Sequence, residues 1–254
     1  MIINEKPYWW DAKSPTNSPD IPWETKADIV IVGCGFTGLG AAIPLARAGY
    51  NVVILEKNNL GEGAATRNGG ITSGNLRPSN TDLIRRFGPE KAKNFQKEAI
   101  TARQDLYDFI EHEKLDCDFD MVGWFLGNPR DGSLDHLKRE ADQFYKDFGI
   151  ETQVSDSKGV KDYIDSPKYK AGVFRPDIGG IHPSKLLHEM IRIALRDNVK
   201  IFSHTASQSI KRVGQTFTIP THRGSVTAEH VIVATNGYTG KEFPWLRRRL
   251  IPVI

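Results

Sequence analysis

Between residues 28 and 56 the chain strings together an apolar run, a glycine triplet, a helical stretch, a second apolar run and an acid, an order that few folds accommodate. Asp28 to Val32 is short, rich in Val and Ile, and runs into glycine, as a parallel strand buried on both faces requires. Gly33-Cys-Gly35-Phe-Thr-Gly38 follows; residues 36–48 read as a helix, with Gly49 placed to close it. Asn51 to Leu55 is a second buried strand. The unit has the size of a strand–helix–strand crossover, about 30 residues, and sets the fold class as α/β.

In that context each glycine has its own duty. Gly33 permits a tight turn, Gly35 leaves room for a pyrophosphate against the backbone, and Gly38 lets the helix lie close to the strand. The helix start offers N–H groups and partial positive charge to phosphates. Glu56 stands eighteen residues beyond Gly38 (56 − 38), where a carboxylate binds ribose hydroxyls and repels a 2′-phosphate, which disfavours an NADP-type ligand. Pro44, inside the helix, removes a hydrogen bond and is expected to kink the axis at a cost of about 3 kcal/mol.

Two further segments point the same way. The loop from Gly61 to Gly70 carries small residues that suit a close pass along a flat ligand, and its Arg67 suits a phosphate or carboxylate, or solvent alone. Val231 to Gly237 is a strand that exits in Ala-Thr-Asn-Gly, at the carboxyl edge of a sheet where ligands of α/β folds sit.

Elsewhere the texture is mixed. Residues 1–26 read as an arm whose Tyr8, Trp9, Trp10 and Trp23 seek apolar surface. Pro89 to Leu115 is expected to form one long helix burying Phe95, Ile100, Leu106, Phe109 and Ile110. A strand is expected over 117–127, a helix over 131–148, a strand end at Val173-Phe174, a helix from His182-Pro183 to about Asp197, and a strand over 199–202. Residues 209–213, 217–221 and 225–228 suggest an antiparallel meander, and His230 to Ala234 a separate buried strand. His182, at a helix start, reads as structural.

Composition excludes several classes. With 34 Lys+Arg against 31 Asp+Glu, the net charge of +3 is too small and too dispersed for a nucleic-acid surface. Two cysteines, Cys34 and Cys117, do not make a disulfide framework, and a reducing compartment fits them. No signal-peptide pattern opens the chain and no run reaches the 18 apolar residues of a spanning helix, so a cytoplasmic protein is expected. No metal site is expected.

Taken together, the run from Ala27 to Leu39, Gly63 to Gly70 with its Arg-Asn-Gly-Gly, Gly179-Gly-Ile-His-Pro183, His230 to Thr239, Leu246 to Val253 and Tyr8-Trp9-Trp10 resemble the FAD-dependent amine and amino-acid oxidoreductases. That family includes D-amino-acid oxidase, glycine oxidase and sarcosine oxidase, and the resemblance is nearest to the branch containing gamma-glutamylputrescine oxidoreductase. It implies an FAD-binding Rossmann-like domain over 1–116 and 179–242, with an inserted α+β substrate domain over 117–178 and 243–254 that is incomplete at the C-terminus. It implies FAD as cofactor, with Gly33, Gly35, Phe36, Thr37 and Gly38 at the pyrophosphate, Glu56 at the adenosine ribose, and Lys57 among the cofactor-binding residues. Thr66, Arg67, Asn68, Gly69 and Gly70 fall at the ribityl and flavin end, Ala234 and Thr235 on the far side of the dinucleotide. Ser207 stands where the family usually has a Val whose backbone contacts adenine.

The resemblance also implies the reaction: a hydride leaves the carbon beside an amine nitrogen for flavin N5, the imine is hydrolysed, and oxygen reoxidises the flavin. The partner is a small amine or amino acid. No catalytic side chain is assigned, since a neutral amine needs no side-chain base and the family's substrate contacts come largely from segments beyond Ile254. Arg247 to Arg249 read as a solvated edge or interdomain turn at the start of a strand. Two alternatives remain at this point: an inactive dinucleotide-binding fragment, or an NAD-dependent dehydrogenase.

Overall fold

The computed structural model describes residues 5–130 and 132–250. It divides into two compact units, residues 1–69 with 183–254 (unit 1) and 70–182 (unit 2).

Unit 1 is built on β1 (Lys26–Val32), α1 (Phe36–Arg47) and β2 (Val52–Leu55). Unit 2 then contributes α2 (Asn80–Phe87), α3 (Pro89–Glu113), β3 (Trp124–Asn128), α4 (Leu134–Phe148), β4 (Gln153–Asp156) and β5 (Ala171–Arg175). The chain returns to unit 1 through α5 (Pro183–Arg196), β6 (Lys200–Phe202), β7 (Lys211–Val213), β8 (Thr216–Thr221), β9 (Gly224–Val233) and the single turn α6 (Pro244–Arg247).

The unit 1 sheet has the order β6-β2-β1-β9-β8-β7. Its first four strands are parallel, with Ile31 beside Ile54 on one side and Ile232 on the other; β8 and β7 run antiparallel at the far edge. The parallel strands are buried on both faces, which is why they read as unbroken apolar runs. Side chains alternate between the faces. Val30, Val53, Leu55 and Phe202 form one cluster under Ile21 and Trp23, whose indole lies 4.9 Å from the Phe202 ring. Ile31 meets α1 at Gly38, where a Cβ would lie 3.4 Å from its side chain. α5 adds a buried stripe of Leu186, Leu187, Met190, Ile191, Ile193 and Ala194 at helical spacing. Burying each such large side chain contributes roughly 1.5–3 kcal/mol.

Local details depart from the sequence reading. Residues 225–228 and 230–234 are not two strands. β9 is continuous, antiparallel to β8 at its start and parallel to β1 throughout its second half, so one strand joins the meander to the parallel core. α1 runs unbroken through Pro44, because Pro44 and Gly40 both face solvent and water can satisfy the carbonyl that the proline leaves free.

In unit 2, β3, β5 and β4 form an antiparallel sheet in that order. The extended run expected over 117–127 begins only at Trp124, since Asp118 (φ 49°) and Gly123 (φ 74°) adopt left-handed backbone. Likewise α4 begins at Leu134, after Gly132 at φ 72°. α2 escaped the sequence reading, although Ser79 caps it by accepting the Asp82 N–H, a Ser-x-x-Asp start that was available as a signal. α3 buries Ala92, Arg103 and Ile110; Phe95 stays 41% exposed against Phe87. Residues 70–116 pack with unit 2, and residues 243–250 with unit 1. Leu246 and Arg247 belong to a helical turn, not a strand, and residues 251–254 of the expected strand lie outside the described residues.

Candidate functional site

A cavity of about 420 Å³ opens in unit 1 where β1, β2 and β9 end. Val32, Leu55 and Ala234, the residues at those carboxyl ends, all line it, as does the start of α1 through Gly35, Phe36 and Thr37. This is the place where α/β sheets receive ligands. The first N–H groups of α1 have no acceptor within the helix and carry the positive end of its dipole.

The three glycines serve three different ends. Gly33 has φ +107°, and a Cβ there would lie 2.7 Å from the Ala234 carbonyl oxygen. A Cβ on Gly38 would lie 2.0 Å from the Gly33 carbonyl oxygen, so the helix could not approach the turn. A Cβ on Gly35 would meet nothing within 4 Å: its backbone faces open cavity. Turn, close packing and open approach are what a bound pyrophosphate demands of this loop, and the residues present fit that group.

Glu56 ties the cavity wall together. Its Oε2 accepts the Cys34 N–H at 2.9 Å and its Oε1 the Asn58 N–H at 3.1 Å, so one carboxylate holds the glycine loop to the segment after β2. Replacing it with glutamine makes one of those positions a donor facing a donor. Glu56→Gln is therefore expected to lower stability by about 1–3 kcal/mol in urea unfolding. Cys34 is 2% exposed, and burial, with Glu56 beside it, pushes its thiol far up, so it lines the cavity as a neutral group.

Lys57 lies 5.3 Å over the Tyr238 ring, and both line the cavity. Asn68, Ser207 and Thr235 line it as well. Gly38, Thr66, Arg67 and Gly69 do not; Gly70 is the first residue of unit 2. Thr66 acts from behind the wall. It is completely buried, donates to the Gly61 carbonyl at 2.6 Å and accepts from Trp10 Nε1 at 2.8 Å. Arg67 turns away, its guanidinium 4.7 Å over the Trp10 ring and its Nε donating to the Glu62 carbonyl. Trp9 Nε1 donates to the Asn68 carbonyl at 2.7 Å. The aromatic arm thus anchors the 61–68 loop. Thr66→Val strands Trp10 Nε1 and the Gly61 carbonyl together, and its urea midpoint is expected to fall by the equivalent of about 1–3 kcal/mol.

Sequence reasoning missed the cavity's acidic rim. Glu62 accepts from the Asn59 N–H and side-chain amide, and Glu242 from the Gly240 N–H. Glu242 sits in an irregular segment with neither periodicity nor a glycine motif, whereas Glu62 lies inside the Gly61 to Gly70 loop, where the small residues and Arg67 drew the reading instead. His182, read as structural, is 8% exposed and its N–H donates to the Cys117 carbonyl. Among the described residues no cluster of His, Cys, Asp and Glu could hold a metal, and no helix is long and apolar enough to cross a membrane.

The family profile described as FAD dependent oxidoreductase matches residues 28–254. A probable oxidoreductase OrdL of Rhizobium meliloti (strain 1021) is 27% identical over 96% of this chain and 58% of its own length. Gamma-glutamylputrescine oxidoreductase of Escherichia coli (strain K12) is 29% identical over 89% of this chain and 53% of its own. The chain thus spans a little over half the length of these curated relatives. Glycine oxidase from Geobacillus kaustophilus superposes with a TM-score of 0.71 at 18% identity, covering 87% of this chain and 58% of that one, which shows a shared fold.

Proposed function

The chain belongs to the FAD-dependent oxidoreductase family, and on that premise we propose that its unit 1 cavity holds FAD for oxidation of the C–N bond of a small amine or amino acid. The observation that carries the reading is the contrast among the glycines, with Gly35 open to the cavity while Gly33 and Gly38 are closed by backbone. Gly33, Gly35, Phe36, Thr37 and Gly38 would hold the pyrophosphate, Glu56 and Lys57 the adenosine ribose, and Ser207, Ala234 and Thr235 the adenine side. Thr66, Arg67 and Asn68 would shape the loop toward the ribityl chain, the first two by anchoring it. When bound, FAD supplies a two-electron acceptor, so that an amine becomes an imine that water hydrolyses while dioxygen is reduced to hydrogen peroxide.

The chain's own contribution is binding, orientation and charge. Glu56 keeps the phosphate loop and the ribose site in register, and its negative charge turns away a 2′-phosphate. The names of the relatives support a small amine or amino acid as substrate. We place the protein in the cytoplasm, which two buried cysteines outside any disulfide suit.

Titration of the purified chain with FAD, NAD and NADP tests the reading. Saturable FAD binding is expected, with NADP weaker by a factor of about ten or more; equal affinity for NADP would remove Glu56 from the ribose. Glu56→Gln should weaken FAD as well. Flavin-dependent peroxide release across a panel of primary and secondary amines tests the reaction, and silence across that panel would remove the oxidase reading while leaving FAD binding in place.

A further inference from the structure

Unit 2 carries a half-open cavity of its own, about 400 Å³, lined by α4, one face of its sheet and residues of α2 and α3, a size within the range of small-ligand sites, roughly 300–1,000 Å³. Strand alternation sorts the side chains. Trp124, Leu126, Val173 and Arg175 line the cavity, whereas Phe125 and Phe174 stack on Tyr163, with centroids at 4.6 and 5.1 Å. The ladder sets Trp124 opposite Arg175, and continuing it one step from the Gln153–Phe174 pair puts Thr152 beside Arg175 on the other side. Phe144 and Phe148 of α4 complete an aromatic wall.

The polar groups in this row are not matched within the protein. Arg175 is 8% exposed; its Nε and Nη2 donate to Asp177 at 2.7 Å each and its guanidinium lies 4.5 Å over Phe144. Among the described residues its Nη1 has no acceptor. Asp177 also serves Arg103, which is 7% exposed and whose Nε is buried without a partner. Two buried guanidiniums therefore share one carboxylate, leaving a positive charge. The Thr152 hydroxyl, at the same wall, is buried with no partner. At the rim Asp147 is paired with Lys93, and Glu140 lies 3.5 Å from His136 Nε2, a pair that neutralises only when the imidazole is protonated, with Arg139 as a further cation beside it.

We propose that this cavity is a binding site for a small organic monoanion with an aromatic body, its carboxylate taken by Arg175 and Thr152 and its ring seated among Trp124, Phe144 and Phe148. The two sides of the row call for these two halves of one molecule: the remaining guanidinium N–H groups and a hydroxyl for the anion, and π faces for the ring.

The test is calorimetric titration of the whole chain with 3-phenylpropionate, using 3-phenylpropylamine and 3-phenylpropanol as charge-reversed and neutral controls. One saturable site is expected for the acid, with the alcohol weaker by a factor of about ten, while any heat from the amine, a candidate substrate of unit 1, should be the same in Ala141→Trp as in wild type. Ala141→Trp, which puts an indole into the cavity from α4, should abolish the heat, and Thr152→Val should weaken binding by a factor of about five to ten. Arg175→Lys is a harder variant to read, because Asp177 loses its fork partner; the other two carry the test, with melting temperatures showing that each is folded. Absence of saturable heat from the acid, amine binding that Ala141→Trp abolishes, or unchanged acid heat in folded Ala141→Trp overturns the proposal. Heat lost in Gly35→Leu but kept in Ala141→Trp would assign the anion to unit 1 and overturn it equally.

Discussion

Gly35→Leu is expected to yield a folded protein that no longer retains flavin. The backbone at Gly35 (φ −90°, ψ −172°) is one any residue adopts, and a side chain there meets no protein atom within 4 Å, so the fold loses little. The space it fills is the approach to the free N–H groups at the start of α1. A leucine there excludes the pyrophosphate, and affinity for FAD should fall by a factor of about a hundred or more, the loss of two or more charge-assisted hydrogen bonds. Gly38→Ala makes the opposite kind of variant. Its methyl would sit 2.0 Å from a backbone oxygen, and overpacking of this kind costs about 3 kcal/mol before any ligand is considered. Flavin content after desalting, set against the urea midpoint of each variant, separates the two. A Gly35→Leu protein that keeps stoichiometric flavin would place the phosphates elsewhere.

The second large effect is in unit 2. Asp177→Asn is expected to cost about 3–5 kcal/mol, because it leaves Arg103 and Arg175 buried without their shared counter-charge. Burial alone would raise the Asp177 pKa; the hydrogen bond and charge of Arg175, with Arg103 behind them, overcome it and hold the carboxyl below the ordinary aspartate value. The sign follows. A depressed carboxyl pKa contributes stability that is fully present above the unfolded value near 3.9 and is lost as pH falls toward the folded one. The stability gap between wild type and Asp177→Asn, followed by urea unfolding from pH 6 downward, should therefore narrow below about pH 4. A constant gap would mean that Asp177 acts by shape and not by charge.

How legible the molecule was depended on how local each decision is. β1, α1 and β2 could be read because four consecutive buried residues, or a helix start between glycines, are signals contained in a few residues. The cavity residues near them, Gly33 to Thr37 and Glu56, came from the same source. The long helix α3 was legible as a helix but not in its buried face. Hydrophobic spacing pointed to Phe95, Ile100, Leu106 and Phe109, whereas Ala92 and Arg103 are what go inside with Ile110, and the partner of Arg103, Asp177, lies 74 positions along the chain (177 − 103). Arg67 shows the same limit at the site. Its place in the motif suited a phosphate or a carboxylate, and its ring partner Trp10 comes from an arm with no periodicity to read.

By itself the sequence determined the crossover unit, the glycine turn, the acid at the end of the second strand and the placement of a cleft at the carboxyl edge of the sheet. All of these follow from backbone sterics and burial periodicity acting over fewer than thirty residues. The tertiary structure alone decided that one strand, β9, serves both the meander and the parallel core, that Glu56 spends its two oxygens on the backbone of Cys34 and Asn58, and that one aspartate answers two arginines in unit 2. Those are pairings of polar groups across long sequence separation. A polar side chain carries no local mark of its partner, and only the packed chain brings the two within hydrogen-bond distance and removes the water that would otherwise satisfy each alone.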